Sequence, residues 1–327
     1  MTNLDPAAGI VLAIISRRRP RQLRRLLGYL SEHSDEIGRA GVRQLIVVDN
    51  DPAGSAEDAV SEWTGSFELR YLSQPKPGFA TARNTAVEAA WGTRYLAFID
   101  DDDFPSPDWL EALLQMHRKT GAGIVGGPRK SLLPSDAPEW AKAGFLDSDR
   151  PVQSGTTVEV AATNNILIDL DQVAALAPLF DTRFDYSGGE DAVFCIRAAR
   201  SGVNVVWCNE ARMWSNVDPG RISVRYVLRR AFLYGLLFVR RELLLEPVRR
   251  RRVKIRVSWL GKALADFKEG SRILRRKMPM ASRVRLARKL CLGLGKLFGA
   301  LVPNALQPYG KVRETISALD FASRLGR

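Results

Sequence analysis

Cysteine and histidine are scarce in this chain of 327 residues. There are three cysteines (Cys195, Cys208, Cys291) and two histidines (His33, His117). Three scattered thiols exclude a disulfide framework and a zinc site built on paired cysteines. Both histidines fall on predicted surface helices, which argues against a His-dependent triad or a His-rich metal centre. No run reaches the roughly 18–20 apolar residues of a membrane-spanning helix. The longest candidates are Ala231–Val239 and Leu290–Val302, the second interrupted by Lys296. The start of the sequence has no basic leader, and Ile10–Ile15 is a short apolar stretch, so no signal peptide is expected. With so few cysteines, a reduced cytoplasmic setting is expected.

Several nucleotide and hydrolase signatures are missing. There is no G-x-x-x-x-G-K-S/T and no G-x-S-x-G, which disfavours an ATPase and an α/β-hydrolase. Gly121–Gly126 fits G-x-G-x-x-G, but it follows a predicted helix at Pro107–Lys119 instead of opening one. It reads as a turn and a strand. Gly295-x-x-x-Gly299, with Lys296 inside it, reads as a chance match to a helix-packing motif. Trp140 could stack on a sugar, though a core or lid position fits it better.

What is present is apolar residue and charge. Hydrophobic residues make up 46% and charged residues 26%, enough for a large core with an appendage or a second domain. The net charge of +13 conceals a division. Residues 221–327 hold 27 Lys and Arg against 6 Asp and Glu, whereas residues 1–220 hold 22 against 30. A uniformly basic nucleic-acid binder would not divide in this way. We therefore expect two regions, 1–220 and 221–327, with a turn at Asp218-Pro219-Gly220 between them.

The first region alternates strand and helix patterns. Continuous apolar runs at Gly9–Ile15 and Leu45–Asp49 predict buried strands. Phe67–Leu72, Arg94–Ile99, Ala122–Gly126, Val158–Ile168 and Val203–Trp207 predict further strands. Pro20–Leu30 and Thr81–Trp91 predict helices, the second stopped by Gly92. Ser106 is expected to cap a helix with Pro107 in its first turn. The alternation predicts an α/β fold with a mostly parallel sheet and helices on both faces. Beyond residue 220, arginine clusters interleave with leucine-rich stretches, predicting basic helices, with Pro247 breaking the first.

Asp100-Asp101-Asp102-Asp103 directly follows a predicted buried strand. Four adjacent carboxylates repel, so their pKa values should rise unless a cation compensates. Alternation at a strand end lets Asp100 and Asp102 converge on one ion. Carboxylate oxygens suit Mg²⁺ or Mn²⁺, and ligands of open α/β sheets bind at the carboxyl ends of strands. A second acidic pair, Glu190-Asp191, follows Gly188-Gly189 at a predicted helix start. Either acid could take a proton from a hydroxyl, or both could simply favour the helix dipole. A third segment, Gln74–Asn84, opens a helix bearing Arg83 and Asn84. Such a helix start suits a phosphate, although alone it reads as an ordinary loop-to-helix junction.

Taken in order, Val47-Val48-Asp49-Asn50-Asp51, Gly78–Asn84, Asp100–Asp103 with Pro105 and Trp109, and Gly188-Gly189-Glu190-Asp191 resemble the family 2 inverting glycosyltransferases of GT-A fold. The likeness covers about residues 8–235. Phe184–Asp191 with Val205–Ala211 is most similar to the bacterial exopolysaccharide branch that includes succinoglycan glucosyltransferases. The resemblance implies that Asp49 recognises the nucleotide base and Arg83 approaches the donor diphosphate. It implies that Asp100 and Asp102 bind metal and donor, with Asp101 sharing this work. It makes Asp191 the catalytic base, with Glu190 beside it. Thr163-Asn164-Asn165 matches a family element to which no role is given. One departure concerns Ser215, which stands where the resemblance implies a metal-binding histidine in many relatives; the metal shell would then be weaker, or completed by Asn216 or water.

The resemblance thus implies a metal-dependent enzyme using a nucleotide-sugar donor, a UDP-sugar above all, and a glycan or polyprenyl-diphosphate-linked acceptor. Basic helices with apolar faces suit an anionic membrane surface, so a peripheral position at the inner face of the cell membrane is expected, and no nucleic-acid partner. Two other classes compete. A sugar-phosphate nucleotidyltransferase of related fold would show a glycine-rich N-terminal signature; Ile14–Pro20 supplies arginines but no glycine. A non-catalytic membrane- or nucleic-acid-binding protein would rest on the basic region alone.

Overall fold

The computed structural model describes residues 9–143, 152–271 and 278–302. In chain order, its first elements are β1 (Ile10–Ser16), α1 (Pro20–Glu32), α2 (Ser34–Arg39), β2 (Val42–Asp49), α3 (Glu57–Ser61), β3 (Glu68–Ser73) and α4 (Phe79–Ala90). Then come β4 (Tyr95–Asp100), β5 (Asp103–Pro105), α5 (Trp109–Thr120), β6 (Ile124–Gly126), β7 (Arg129–Leu132), β8 (Asn165–Asp169) and α6 (Leu170–Val173). The last are α7 (Glu190–Arg200), β9 (Val205–Trp207), β10 (Met213–Asn216), α8 (Val224–Leu245), α9 (Arg249–Gly270) and α10 (Met280–Leu301). The chain divides into two compact units: Met1–Leu132 with Asp147–Asp185 and Glu190–Asn216, and Leu133–Leu146 with Tyr186–Gly189 and Val217–Arg327.

The first unit is built on a seven-stranded sheet of order β3-β2-β1-β4-β8-β6-β9. Every pairing is parallel except those of β8, which runs antiparallel to β4 and β6. The side-chain alternation of β1 explains the layering. Ile10, Leu12 and Ile14 pack with Leu23, Leu26 and Trp109 on one face. Val11 and Ala13 pack with Ala82, Ala86 and Phe194 on the other. Both faces are thus covered by helices, as a largely parallel sheet requires.

Three differences from the sequence expectation have local causes. The predicted strand Val158–Ile168 is regular only from Asn165. Its first part loops, with Thr157 bridging to Val206 and the Asn164 and Asn165 side chains drawn into other contacts. The helix expected to be capped by Ser106 begins at Trp109, whose N–H donates to the Ser106 carbonyl, with no side-chain cap. A second sheet of three short strands, β5-β10-β7, has too few residues to leave a pattern. The G-x-G-x-x-G segment is a turn and strand: Gly121 ends α5 in a left-handed conformation (φ 67°) and Ile124–Gly126 forms β6.

In the second unit, α8 and α9 are separated at Pro247, as the sequence predicts. Ser223 caps α8 by accepting from the Tyr226 N–H at 3.2 Å. The chance reading of Gly295-x-x-x-Gly299 is overturned. A Cβ on Gly295 would lie 2.0 Å from the Phe232 carbonyl oxygen, and one on Gly235 would lie 2.2 Å from that of Leu292. Glycines therefore let α8 and α10 touch backbone to backbone. Trp140 packs with Leu133, Val227 and Val284, a core position. Lys296 is buried and paired with Asp266 at 2.5 Å. Among the described residues, no helix is long and apolar enough to cross a membrane.

Candidate active site

The parallel register brings three strand ends together in the first unit. Ser16 at the end of β1 lies opposite Asp49, and Ile15 lies opposite Asp100. The expected acidic residues therefore meet at the carboxyl edge of the sheet, where loops are free to carry function.

Carboxylate oxygens of Asp100, Asp102 and Asp103 all lie within 4.8 Å of one another, close enough to share a cation. Asp101 was expected among the donor ligands, but its carboxylate turns to Ser16 Oγ at 2.8 Å and Arg19 Nη1 at 3.0 Å. The third member of the group is instead Asp103, anchored by Asn164 Nδ2 at 2.9 Å and Arg129 Nη1 at 3.3 Å. Arg19 also reaches Asp102 at 3.2 Å. Burial pushes Asp100 upward, Asp101 up to about 6 and Asp103 up to about 7. Oxygen-only donors at this spacing fit Mg²⁺ or Mn²⁺.

Ser215 sits in β10 opposite Asp103, and its hydroxyl lies 3.3 Å from the Asp102 carbonyl oxygen. A seryl hydroxyl thus lies beside the acidic group.

Arg83 joins the two acidic motifs. Its Nη1 donates to Glu190 Oε1 at 2.6 Å, and its Nη2 stands 3.7 Å from Asp100. Both Arg83 and Glu190 are buried. Burial pushes the Glu190 carboxyl up to about 7, against the pull of Arg83. Glu190 Oε2 and Arg83 Nε are buried without a hydrogen bond among the described residues. Asp191 is half-buried at the start of α7, with Oδ1 accepting the Ala192 N–H at 2.7 Å.

Asp49 is 0% exposed, and its oxygens accept from Asp51 N (3.1 Å), Ala56 N (2.6 Å) and Tyr71 Oη (3.2 Å). Its carboxylate shapes the loop after β2. Asn50 does similar work, donating to the Gln74 and Lys76 carbonyls and accepting from Gly78 N. The N-terminus of α4, which suits a phosphate but alone reads as an ordinary loop-to-helix junction, is filled by Asp185. Its carboxylate accepts from Thr81 N at 2.7 Å and Thr81 Oγ1 at 2.6 Å. A Cβ on Gly78 would lie 2.3 Å from Asp185 Cγ, so only glycine admits this cap.

Sequence reasoning missed Ser16, Arg19, Arg129, Asn164 and Asp185 as members of this assembly. Arg17–Arg19 gave a signal, three cations directly after a strand pointing at the acidic edge. Arg18 has a left-handed backbone (φ 56°), held by its N–H to Ser55 Oγ and its side chain to Asp51, and Arg19 follows it. The cysteines add no nucleophile here: burial pushes the Cys195 thiol up to about 12.

An α/β sheet with a carboxylate cluster at its strand ends and a second acidic pair tied to it by arginine matches a class, the glycosyltransferases of GT-A architecture. The model for "Glycosyl transferase family 2" matches residues 18–158, and that for "Glycosyl transferase family group 2" matches residues 95–301. The chain is 30% identical over 312 residues to the succinoglycan biosynthesis protein ExoM of Rhizobium meliloti, covering 94% of this chain and 98% of that one. It belongs to glycosyltransferase family 2 and is an enzyme of that class, similar to ExoM-like members. The nucleotidyltransferase and non-catalytic alternatives fall away. Solved structures agree on the fold. Staphylococcus aureus TarS 1-349 in complex with UDP-GlcNAc superposes with a TM-score of 0.54 at 14% identity, over 89% of this chain and 81% of that one. The mannosyltransferase PcManGT of Pyrobaculum calidifontis, bound to GDP-Man and Mn²⁺, gives 0.54 at 16% identity, over 97% and 82%.

Proposed function

We propose that this enzyme transfers a sugar, with inversion, from a nucleotide-sugar donor to a glycan or lipid-linked glycan during cell-surface polysaccharide synthesis. One observation carries the reading: a single guanidinium, Arg83, contacts both Glu190 and Asp100, so the two acidic motifs form one centre. The name of the ExoM relative supports polysaccharide synthesis, and the UDP-GlcNAc and GDP-Man held by the structural neighbours support a nucleotide-sugar donor. Among donors, a UDP-sugar is our choice.

Asp100, Asp102 and Asp103 would hold Mg²⁺ or Mn²⁺, which when bound supplies positive charge against the leaving diphosphate. The Mn²⁺ in the PcManGT complex supports this assignment. The chain's own residues do the rest. Arg19 and Arg129 hold the acids in place before any ligand arrives, which is preorganisation in the electrostatic sense. Arg83, with a buried Nε left over, turns toward the donor diphosphate. Glu190 is committed to Arg83, so the half-exposed Asp191 takes the proton of the acceptor hydroxyl. The acceptor oxygen bonds to the anomeric carbon as the bond from that carbon to the diphosphate breaks, and the nucleoside diphosphate leaves. One displacement inverts the configuration.

Residues 1–220 would carry this chemistry, and the basic residues 221–327 would rest on the anionic inner face of the membrane, where a polyprenyl-diphosphate-linked acceptor is found. A thermal-shift panel of UDP-, GDP- and dTDP-sugars with and without Mn²⁺ tests the reading. One donor should give a Mn²⁺-dependent rise in melting temperature. No shift with any donor would refute it.

A further inference from the structure

In Leu290–Val302, the most apolar stretch of the basic region, Gly293, Gly295, Lys296, Gly299 and Ala300 of α10 are buried, whereas Leu294, Phe298, Leu301 and Val302 are exposed. Helix α9 combines an exposed apolar face with cations on both sides of it. Val253, Val257 and Leu264 are 57%, 62% and 67% exposed, and half-buried Leu260 completes a ridge. Spacings of four, three and four residues set these side chains in one line along a helix that turns about 100° per residue. The same turn angle puts Arg250, Lys254 and Lys268 along one side of the ridge, and Arg249 and Arg256 along the other. Among the described residues, none of these five cations is in an ion pair. The two acids of α9 do not oppose this charge, since Asp266 is buried on Lys296 and Glu269 pairs with Lys289 at 3.1 Å.

An apolar ridge between rows of cations matches the section of an anionic bilayer surface, acyl chain below and phosphate above. A protein partner with an acidic rim could answer the same charge, but cations on both sides of one apolar ridge favour the planar charge of a bilayer surface. We infer that α9 is the helix that lies on the membrane, its Val253–Leu264 ridge entering the headgroup boundary. This refines the membrane placement proposed above and rests on it. Leu294 and Leu301 of α10 are also exposed, yet the nearest cation in sequence, Lys296, is buried on Asp266.

The test is flotation of the full chain with phosphatidylglycerol/phosphatidylcholine vesicles, and with phosphatidylcholine alone, at low salt. The native chain should float with the anionic vesicles only. Val253→Glu, Val257→Glu and Leu264→Glu combined should weaken that binding by at least about tenfold, and an unchanged melting temperature would certify the fold. If the native chain fails to bind anionic vesicles, the membrane placement falls and this inference with it. If the triple variant binds as tightly as the native chain while Leu294→Glu with Leu301→Glu does not, the α9 assignment falls and the placement stands. Equal binding to neutral vesicles would also overturn the role given to the cations.

Discussion

Asp191 and Glu190 are adjacent acids in very different surroundings. Glu190 is buried on Arg83 at 2.6 Å, whereas Asp191 is half-buried at the helix start. Asp191→Asn should lower transfer by about 10²–10⁴-fold while leaving the donor-induced thermal shift in place; product assays on the two proteins measure both. Glu190 should also leave a signature in stability. Its folded pKa of about 7 exceeds the ordinary 4.5, so the folded chain binds the extra proton between those values. Stability due to this group is then largest below about pH 4.5 and falls as pH rises toward 7. Melting temperatures at pH 5 and pH 8 should differ less in Glu190→Gln than in the native enzyme. At this scale the sequence reading divided cleanly. Asp100, Asp102, Arg83 and Glu190 were legible because strand ends and glycine turns announce themselves. Arg19, Arg129 and Asn164 were not, because each reaches the acids across 26 to 83 positions of chain. The hydrogen bonds of Asp49 were hidden for a related reason: the loop beyond the strand folds back onto it.

At the scale of elements, two close approaches decide geometry. Asp185 caps α4, the helix that carries Arg83, by taking the Thr81 N–H and hydroxyl. Asp185→Ala should cost about 1 kcal/mol of stability, read by chemical denaturation. The other approach is the glycine crossing of α8 and α10. Gly295→Ala would set a methyl group 2.0 Å from a carbonyl oxygen and should cost about 1–3 kcal/mol, visible as a lower unfolding midpoint. Long buried elements such as β1, β2 and α1 were readable from their apolar spacing. The β5-β10-β7 sheet was not, since three or four residues carry too little pattern and its pairing joins Asp103 to Ser215.

For the whole molecule, the net charge of +13 is the difference between an acidic region and a basic one. The acidic region keeps several of its carboxylates close together at one edge, so a divalent cation should stabilise the folded chain measurably. Mn²⁺ at about 100 times its dissociation constant should add about 2.7 kcal/mol, and a chelator should remove the gain; calorimetry with and without EDTA checks it. The acidic edge was legible in outline from the four-aspartate run, but its supports Arg19, Arg129 and Asn164 were not, because they come from distant parts of the chain.

The small sheet that seats Asp103 has a consequence for biosynthesis. A nascent chain extended only as far as Arg200 already contains every acid of the centre, yet it lacks β10, the strand between β5 and β7. The ribosome therefore releases all these acids before it releases the strand that pairs with Asp103. Donor binding should be a late event in synthesis, switched on within the few residues that carry Met213 through Asn216 out of the exit tunnel.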